Sequence, residues 1–341
     1  MDIKVTDFDR ILAVQLGAGG IPLIHAPTRV DSMSTAQAWL QEQAGAVRNV
    51  LNRYGFLMIR RLPLESTTDV AVARDILIRQ RALNRERTAE RTHFGEEVYS
   101  ANDLPPAHRI GFHNENSYAL EFPGVLLFAC LEAPATGGCT VVADGRKVLA
   151  SLSPEIAMRF RTRGWLLTRH YHPHVGQPLE SAFNSTDPDK IGAFCDSNLI
   201  GHQWLPDGTL RTTQVRTALI RHPATGEEAL FGHASFWSRW SLAPEVRTVL
   251  ASSYGDDRLP FDSSYGDGQP ISQGEMDAVN EAYDLCACRE PWQRGDLMLV
   301  DNLQAAHGRE PFTGKRRVVV AMGELLHERY CGITRASPQL T

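Results

Sequence analysis

From about residue 111 onward the apolar residues of this chain fall into short, β-rich runs at 125–130, 140–142, 165–168, 218–220, 297–300 and 318–322, with glycine and proline between them. Short strands spread over roughly two hundred residues, with turn signals separating them, predict a β-sandwich or jelly roll rather than a doubly wound parallel sheet. The first third of the chain reads differently. Ser34 followed by Gln37 has the form of a capping box, and Trp39, Leu40, Val47, Val50, Leu51 and Tyr54 then recur at helical spacing until Gly55. Residues 56–59 (FLMI) read as a short buried strand, stopped by Arg60, Arg61 and Pro63. Helical stretches at 146–152 and 154–163 are expected outside the strands. The fold class this predicts is mainly β with flanking helices, in one domain over residues 1–341. Residues 170–216 are polar, weakly periodic and rich in Asp, Asn, Gly and Pro, which predicts a lid insert across the mouth of the fold.

A hydrophobic content of 43% and a charged content of 22% suffice for a sizeable core. Thirty-five basic residues against forty acidic ones, a net charge of −5, give no broad electrostatic reason to hold a phosphate backbone. Nucleic acid is therefore not an expected partner. No stretch approaches the roughly eighteen apolar residues of a membrane span, and the start MDIKVTDFDR has acidic residues where a signal peptide would be apolar. The expected location is cytoplasmic. The six cysteines, Cys130, Cys139, Cys195, Cys286, Cys288 and Cys331, are scattered like reduced thiols. Only Cys286 and Cys288 are close, and C-x-C without a second pair is read as two small packed residues rather than a zinc site.

His113, Asn114 and Glu115 form an H-x-E tripeptide at the entry to the β-rich part. Strand alternation can turn the two outer residues to one side, where they can share an ion. His307 follows the run 296–300 and the turn at Asp301 and Asn302, where a jelly roll brings its closing strand beside its opening one. Two imidazoles and one carboxylate leave one face of an octahedral ion open, which suits iron(II) with a bidentate co-substrate and dioxygen. A keto-acid chelating through its C1 carboxylate and keto oxygen leaves a distal C5 carboxylate that needs a cation. Arg316 and Arg317 lie shortly beyond His307, immediately before the run VVVAM, and one of them can point inward. Thr140, after the Gly137 and Gly138 turn, offers a hydroxyl to the same carboxylate.

These segments, HNENSY at 113–118, GGCT at 137–140 and DNLQAAHGREPFTGKRRVVVAM at 301–322, resemble the taurine catabolism dioxygenase (TauD/TfdA) family over roughly residues 50–325. They are most similar to its syringomycin-type aspartyl hydroxylase branch. The resemblance implies a double-stranded β-helix, a jelly roll, and a non-haem iron dioxygenase whose cofactors are Fe(II), 2-oxoglutarate as co-substrate, and O2. It implies that His113, Glu115 and His307 bind iron, that Thr140 and Arg317 bind 2-oxoglutarate, and that Arg316 is the outward neighbour. Glu115 stands where most of the family carries Asp. A carboxylate there occupies the position that halogenating relatives leave open for chloride, so halogenation is disfavoured.

The branch also implies a small amino-acid-like substrate, free or presented on a carrier protein, hydroxylated at the β-carbon in natural-product biosynthesis. Gly232 and His233 stand where branch members often carry an Asn-containing pair, which leaves the substrate open. Substrate-contact candidates are Asn116, Tyr118, His233 and Arg309. For His233 and Trp237 simple packing is the competing reading, and for Arg309 a salt bridge holding its loop is as good an account as a substrate anchor. His170, His172 and His174 alternate, but Pro173 breaks the strand, so a solvated or substrate-contacting loop is preferred to a metal cluster. The rival readings are desaturation or cyclisation with the same cofactors, a non-catalytic jelly-roll binding protein, and a zinc hydrolase needing neither 2-oxoglutarate nor oxygen.

Overall fold

The computed structural model describes residues 2–7, 10–82 and 91–334. Its larger sheet has eight strands in the order Asp2–Asp7, Arg10–Leu16, Pro22–His25, Phe56–Arg60, Leu297–Asp301, Glu121–Glu132, Arg317–His327 and Val98–Ser100. All neighbours are antiparallel except Pro22–His25 and Phe56–Arg60. A smaller sheet runs Ala287–Cys288, Thr140–Asp144, Ala305–Arg309 and Ile110–His113, antiparallel throughout. The two face each other as a jelly-roll sandwich, without closing into one continuous barrel.

Period-two alternation decides which core each strand residue joins. Met58, Leu126, Phe128, Cys130, Met298, Val300, Val318 and Val320 point between the sheets, where they meet Val142 and Ala305 of the smaller one. Their neighbours Leu57, Ile59, Leu127, Ala129, Leu299, Val319 and Ala321 point to the other face, under the helices Met33–Tyr54 and Thr67–Leu77. Being buried on both faces is why these strands read as continuous apolar runs instead of alternating ones. The outer face of the smaller sheet, with Val141, Ala143 and Ala306, packs against Met276, Val279 and Ala282 of the helix Gln273–Leu285.

The first long helix begins two residues earlier than its sequence pattern suggests. Ser32 is the N-cap and pairs reciprocally with Thr35, and the end at Gly55 falls where expected, with that glycine at φ 79°. Ser34 and Gln37 therefore lie inside the helix. A threonine hydroxyl serves the reciprocal bond as well as the Glu or Gln that the motif favours.

Residues 170–216 differ from the expected lid. They contribute to the strands Trp165–Tyr171, Gly201–Trp204 and Leu210–Arg216, which form a four-stranded sheet with Phe261–Tyr265. The helices Leu179–Phe183 and Pro188–Ser197 pack on it around Ile191, Cys195 and Leu210. None of these residues is among the described lining of the cavity that holds the metal-ligand candidates. Leu210–Arg216 is buried along most of its length but fills those positions mainly with Thr, Gln and Arg, and Gly201–Trp204 has no buried residue, so neither shows an apolar run. No described helix is long and apolar enough to cross a membrane.

Candidate metal centre and its cavity

The strand Ala305–Arg309 is the middle of the site. In its ladders His307 pairs with His113 on one side and with Val142 on the other, and Arg309 pairs with Thr140. Strand alternation sends Ala305, His307 and Arg309 toward the space between the sheets. Gly308, facing the other way, lets the neighbouring strand approach, because a Cβ there would sit 2.5 Å from the Ile110 carbonyl oxygen. Glu115 follows the strand Ile110–His113 by two residues, and a turn folds its carboxylate back toward the two rings.

His113, Glu115 and His307 are the group among the described residues whose ligand atoms all lie within 4.8 Å of one another. The chemistry of the three suits a divalent ion. The Nδ1 of His113 donates to the Gly111 carbonyl at 2.9 Å, which leaves Nε2 as the lone-pair nitrogen. Nε2 of His307 lies 3.7 Å from Glu115 Oε2. Burial lowers the pKa of His113 and holds His307 well below the usual histidine range, with the neighbouring His113 and Arg91 adding to the effect on His307. Both rings are thus neutral near pH 7 and able to donate lone pairs. Glu115 supplies the negative charge.

The backbone around the carboxylate is clamped by two buried asparagines. Asn302 Oδ1 accepts the Glu115 N–H at 2.7 Å, while its Nδ2 donates to the carbonyls of Glu115 at 3.0 Å and Pro123 at 2.8 Å. Asn114 Nδ2 donates to the carbonyls of Asn302 and Ala305, and Oδ1 accepts the Gly232 N–H. Sequence reasoning passed over both, although their positions between the two ligands and in the turn before His307 were signals of a kind.

The ligand candidates open into a cavity of about 450 Å³. Ile110, Phe128, Phe236 and Trp237 give it apolar walls. Thr140 lies on its lining together with Arg316, not Arg317. Arg316 Nε donates to the Gly138 carbonyl at 3.0 Å, and its Nη2 lies 3.5 Å from Thr140 Oγ1. Burial, with Arg309 nearby, pushes the Arg316 guanidinium down to about 10, which still leaves it charged at neutral pH. Arg317 is exposed and stacks over the Phe94 ring. The expectation that Arg317 faces the cavity is therefore corrected. Val318 and Val320 point between the sheets and Val319 to the other face, so plain strand alternation carries Arg316 inward and turns Arg317 out.

The other candidates separate. His233 lines the cavity, with its ring centroid 4.9 Å from that of His113 and its Nδ1 2.6 Å from Ser117 Oγ. Arg309 also lines it, yet its two terminal nitrogens donate to Asn102 Oδ1 and to the carbonyls of Leu104, Pro105 and His108. Of the two readings, substrate anchor or loop holder, these bonds fit the second, made by hydrogen bonds to Asn102 and to carbonyls in place of a salt bridge. Asn116 and Tyr118 are buried and bonded to each other, Tyr118 O–H donating to Asn116 Oδ1 at 3.0 Å, and neither is among the described lining. His170 and His172 bond to the carbonyls of Leu259 and Arg258, which accounts for them structurally. Arg91, missed in the sequence, lines the cavity and pairs with Glu115.

The model of the taurine catabolism dioxygenase TauD, TfdA family matches residues 22–322. Among curated proteins, the dapdiamide synthesis protein DdaC of Enterobacter agglomerans is 30% identical over 305 residues, covering 88% of this chain and 93% of the relative. A taurine dioxygenase from Burkholderia xenovorans superposes with a TM-score of 0.54 at 15% identity, over 96% of this chain and 95% of that one. PvcB, an Fe, alpha-ketoglutarate dependent oxygenase from an isonitrile synthetic pathway, gives 0.54 at 14% identity over 97% of each chain. At these identities the two structural likenesses bear on the fold alone.

Proposed function

This chain belongs to the taurine catabolism dioxygenase TauD, TfdA family and is a non-haem iron, 2-oxoglutarate-dependent oxygenase; on that premise we propose that it hydroxylates an unactivated carbon, the β-carbon of an amino acid or aminoacyl group, in natural-product biosynthesis. The observation that carries the reading is the meeting of His113, Glu115 and His307 within 4.8 Å, in a cavity that also has Thr140 and Arg316 on its lining. The dapdiamide synthesis role of DdaC supports a biosynthetic setting.

In this reading His113, Glu115 and His307 hold iron(II), and Arg316 with Thr140 takes the distal carboxylate of 2-oxoglutarate in a charge-assisted contact. Iron and 2-oxoglutarate together supply oxidation of a C–H bond by dioxygen, with loss of carbon dioxide and formation of succinate. The chain supplies placement and dryness. Neutral histidines keep their lone pairs for the ion because burial disfavours their protonation. The Asn302 clamp fixes the Glu115 backbone, and Phe128, Phe236 and Trp237 exclude water from the reacting face.

Anaerobic titration of the protein with iron(II) and 2-oxoglutarate tests the cofactor roles. A visible charge-transfer band is expected, and it should be absent in His113→Ala, whose far-ultraviolet dichroism should match wild type. Folded wild-type protein without the band would reject these site assignments. With an accepted substrate, a product heavier by one oxygen atom supports hydroxylation, whereas loss of two hydrogens points to desaturation or cyclisation.

A further inference from the structure

We propose that Arg91 is the recognition site for a free carboxylate on the substrate, so that the molecule oxidised is an anionic acid and not one whose carboxyl is masked as an ester or thioester. This rests on the cofactor reading above for its distance to the reacting centre. Nη2 of Arg91 donates to both carboxylate oxygens of Glu115, at 3.0 and 2.9 Å. Nη1 is buried and has no hydrogen-bond partner among the described residues. The side chain is only 12% exposed and stands on the cavity lining. A guanidinium buried with one terminal nitrogen uncommitted is costly unless an acceptor arrives to complete it.

Among the described lining, the terminal nitrogens of the other two arginines are directed elsewhere, and of Arg309 only the inner Nε is left without a partner. Arg309 uses both terminal nitrogens on its own loop, and Arg316 sits against Gly138 and Thr140. The charges on the lining also leave room for an anion. Among the described lining residues, Arg91, Arg309 and Arg316 stand against Glu115 and Asp103, one positive charge in excess. A divalent ion and a dianionic keto-acid cancel each other and leave that excess in place. An ion held by Glu115 would draw on the same carboxylate charge that Arg91 pairs with, which would raise the demand of Arg91 for a second acceptor. A planar carboxylate matches the fork of a guanidinium, one N–H of Nη1 reaching each oxygen or both nitrogens sharing it. An acid held there has the carbons next to its carboxylate near the ligand triad, since Arg91 touches Glu115 itself.

The test uses protein saturated with iron(II) and 2-oxoglutarate under anaerobic conditions. It follows perturbation of the charge-transfer band by the common L-amino acids and, in parallel, by their α-carboxamides. The expected result is that at least one free acid shifts the band and that masking its carboxylate weakens binding by about ten-fold or more, as loss of a charge-assisted pair requires. Binding retained by the α-amide of an acidic amino acid and lost with its side-chain amide assigns the same contact to the side-chain carboxylate. Arg91→Gln should weaken the acid by about the same factor, and Arg91→Lys should recover part of it. Three results overturn the proposal: every acid fails to shift a band that does form, amides bind as well as acids, or Arg91→Gln binds the acid like wild type. A fourth, in which Arg91→Gln weakens 2-oxoglutarate and leaves the acid unaffected, would move the contact to the keto-acid's own C1 carboxylate and equally reject it. Should the band itself not form, the cofactor assignment fails separately, and calorimetry of the same acids against wild type and Arg91→Gln still decides the anion site.

Discussion

At the scale of single residues, the two neighbouring arginines give the sharpest contrast. Arg316 lies beside Thr140 on the cavity lining, and Arg317 stands outside over Phe94. Arg316→Ala should weaken 2-oxoglutarate binding by roughly ten- to a hundred-fold, the range set by about 1.5–3 kcal/mol for a hydrogen bond to a charged group. Arg317→Ala should change it little. Titration of the charge-transfer band in the two variants separates them, and the reverse ordering would restore Arg317 to the site. The ligand candidates were legible in the sequence because H-x-E and a distant His in a strand-rich chain carry a chemical pattern of their own. The choice between 316 and 317 was not, since it depends on which face Val318 takes, and the run VVVAM is apolar and buried on both faces, so its phase leaves no mark in the sequence. Arg91 left still less trace, as a lone arginine in a polar stretch whose importance comes only from its ion pair with Glu115.

At the scale of elements, the site depends on how closely the strands Ile110–His113 and Ala305–Arg309 approach and on the turn at Asn302 that leads into the second of them. In Gly308→Ala the new Cβ would be 2.5 Å from the Ile110 carbonyl oxygen and 3.2 Å from that of Gly111, so the strand Ile110–His113 must move away from Ala305–Arg309. Overpacking of this kind costs about 1–3 kcal/mol. The expected phenotype is a lower melting temperature together with weaker iron(II) binding, because His113 and His307 are cross-strand partners. Melting that drops with unchanged iron affinity would mean the strands do not set the ligand geometry. Asn302→Ala acts through the turn. It leaves the Glu115 N–H and the carbonyls of Glu115 and Pro123 without their buried partner, at about 1–3 kcal/mol for each group that stays unsatisfied. Iron affinity should fall with it. Asn302→Asp keeps the acceptor for the Glu115 N–H but loses both donors, so it should recover only part of the effect. The elements themselves were largely readable where their apolar runs were continuous. The failure at 170–216 has a physical cause: strands such as Gly201–Trp204, with no buried residue, carry no hydrophobic signal to distinguish them from a loop.

Across the whole molecule, one buried ionic cluster fastens the larger sheet to the segment that leads into its central strand. Arg60, at the end of Phe56–Arg60, reaches Asp296 Oδ2 at 3.2 Å and Glu290 Oε2 at 3.3 Å. Asp296 has no exposure, and its Oδ1 is buried with no hydrogen-bond partner among the described residues. Burial raises its carboxyl to about 6, against 3.8 when free, even though the Gln293 N–H and Arg60 favour the charged form. Between those two values the folded chain keeps a proton that the unfolded chain has released. Unfolding therefore releases that proton, and raising the pH through the window favours the unfolded state. The contribution of this residue to stability falls as pH rises from about 4 to about 6 and is level above, with a total change on the order of 3 kcal/mol. Asp296→Asn removes the titration while an amide oxygen still accepts from Gln293. In denaturant unfolding followed from pH 4 to 8, wild type should lose stability relative to the variant across the acidic part of the range and run parallel to it above pH 7. Parallel curves throughout would show that the Arg60 ion pair offsets the burial of Asp296 and holds it at an ordinary carboxylate value, so that its ionisation favours neither the folded nor the unfolded state.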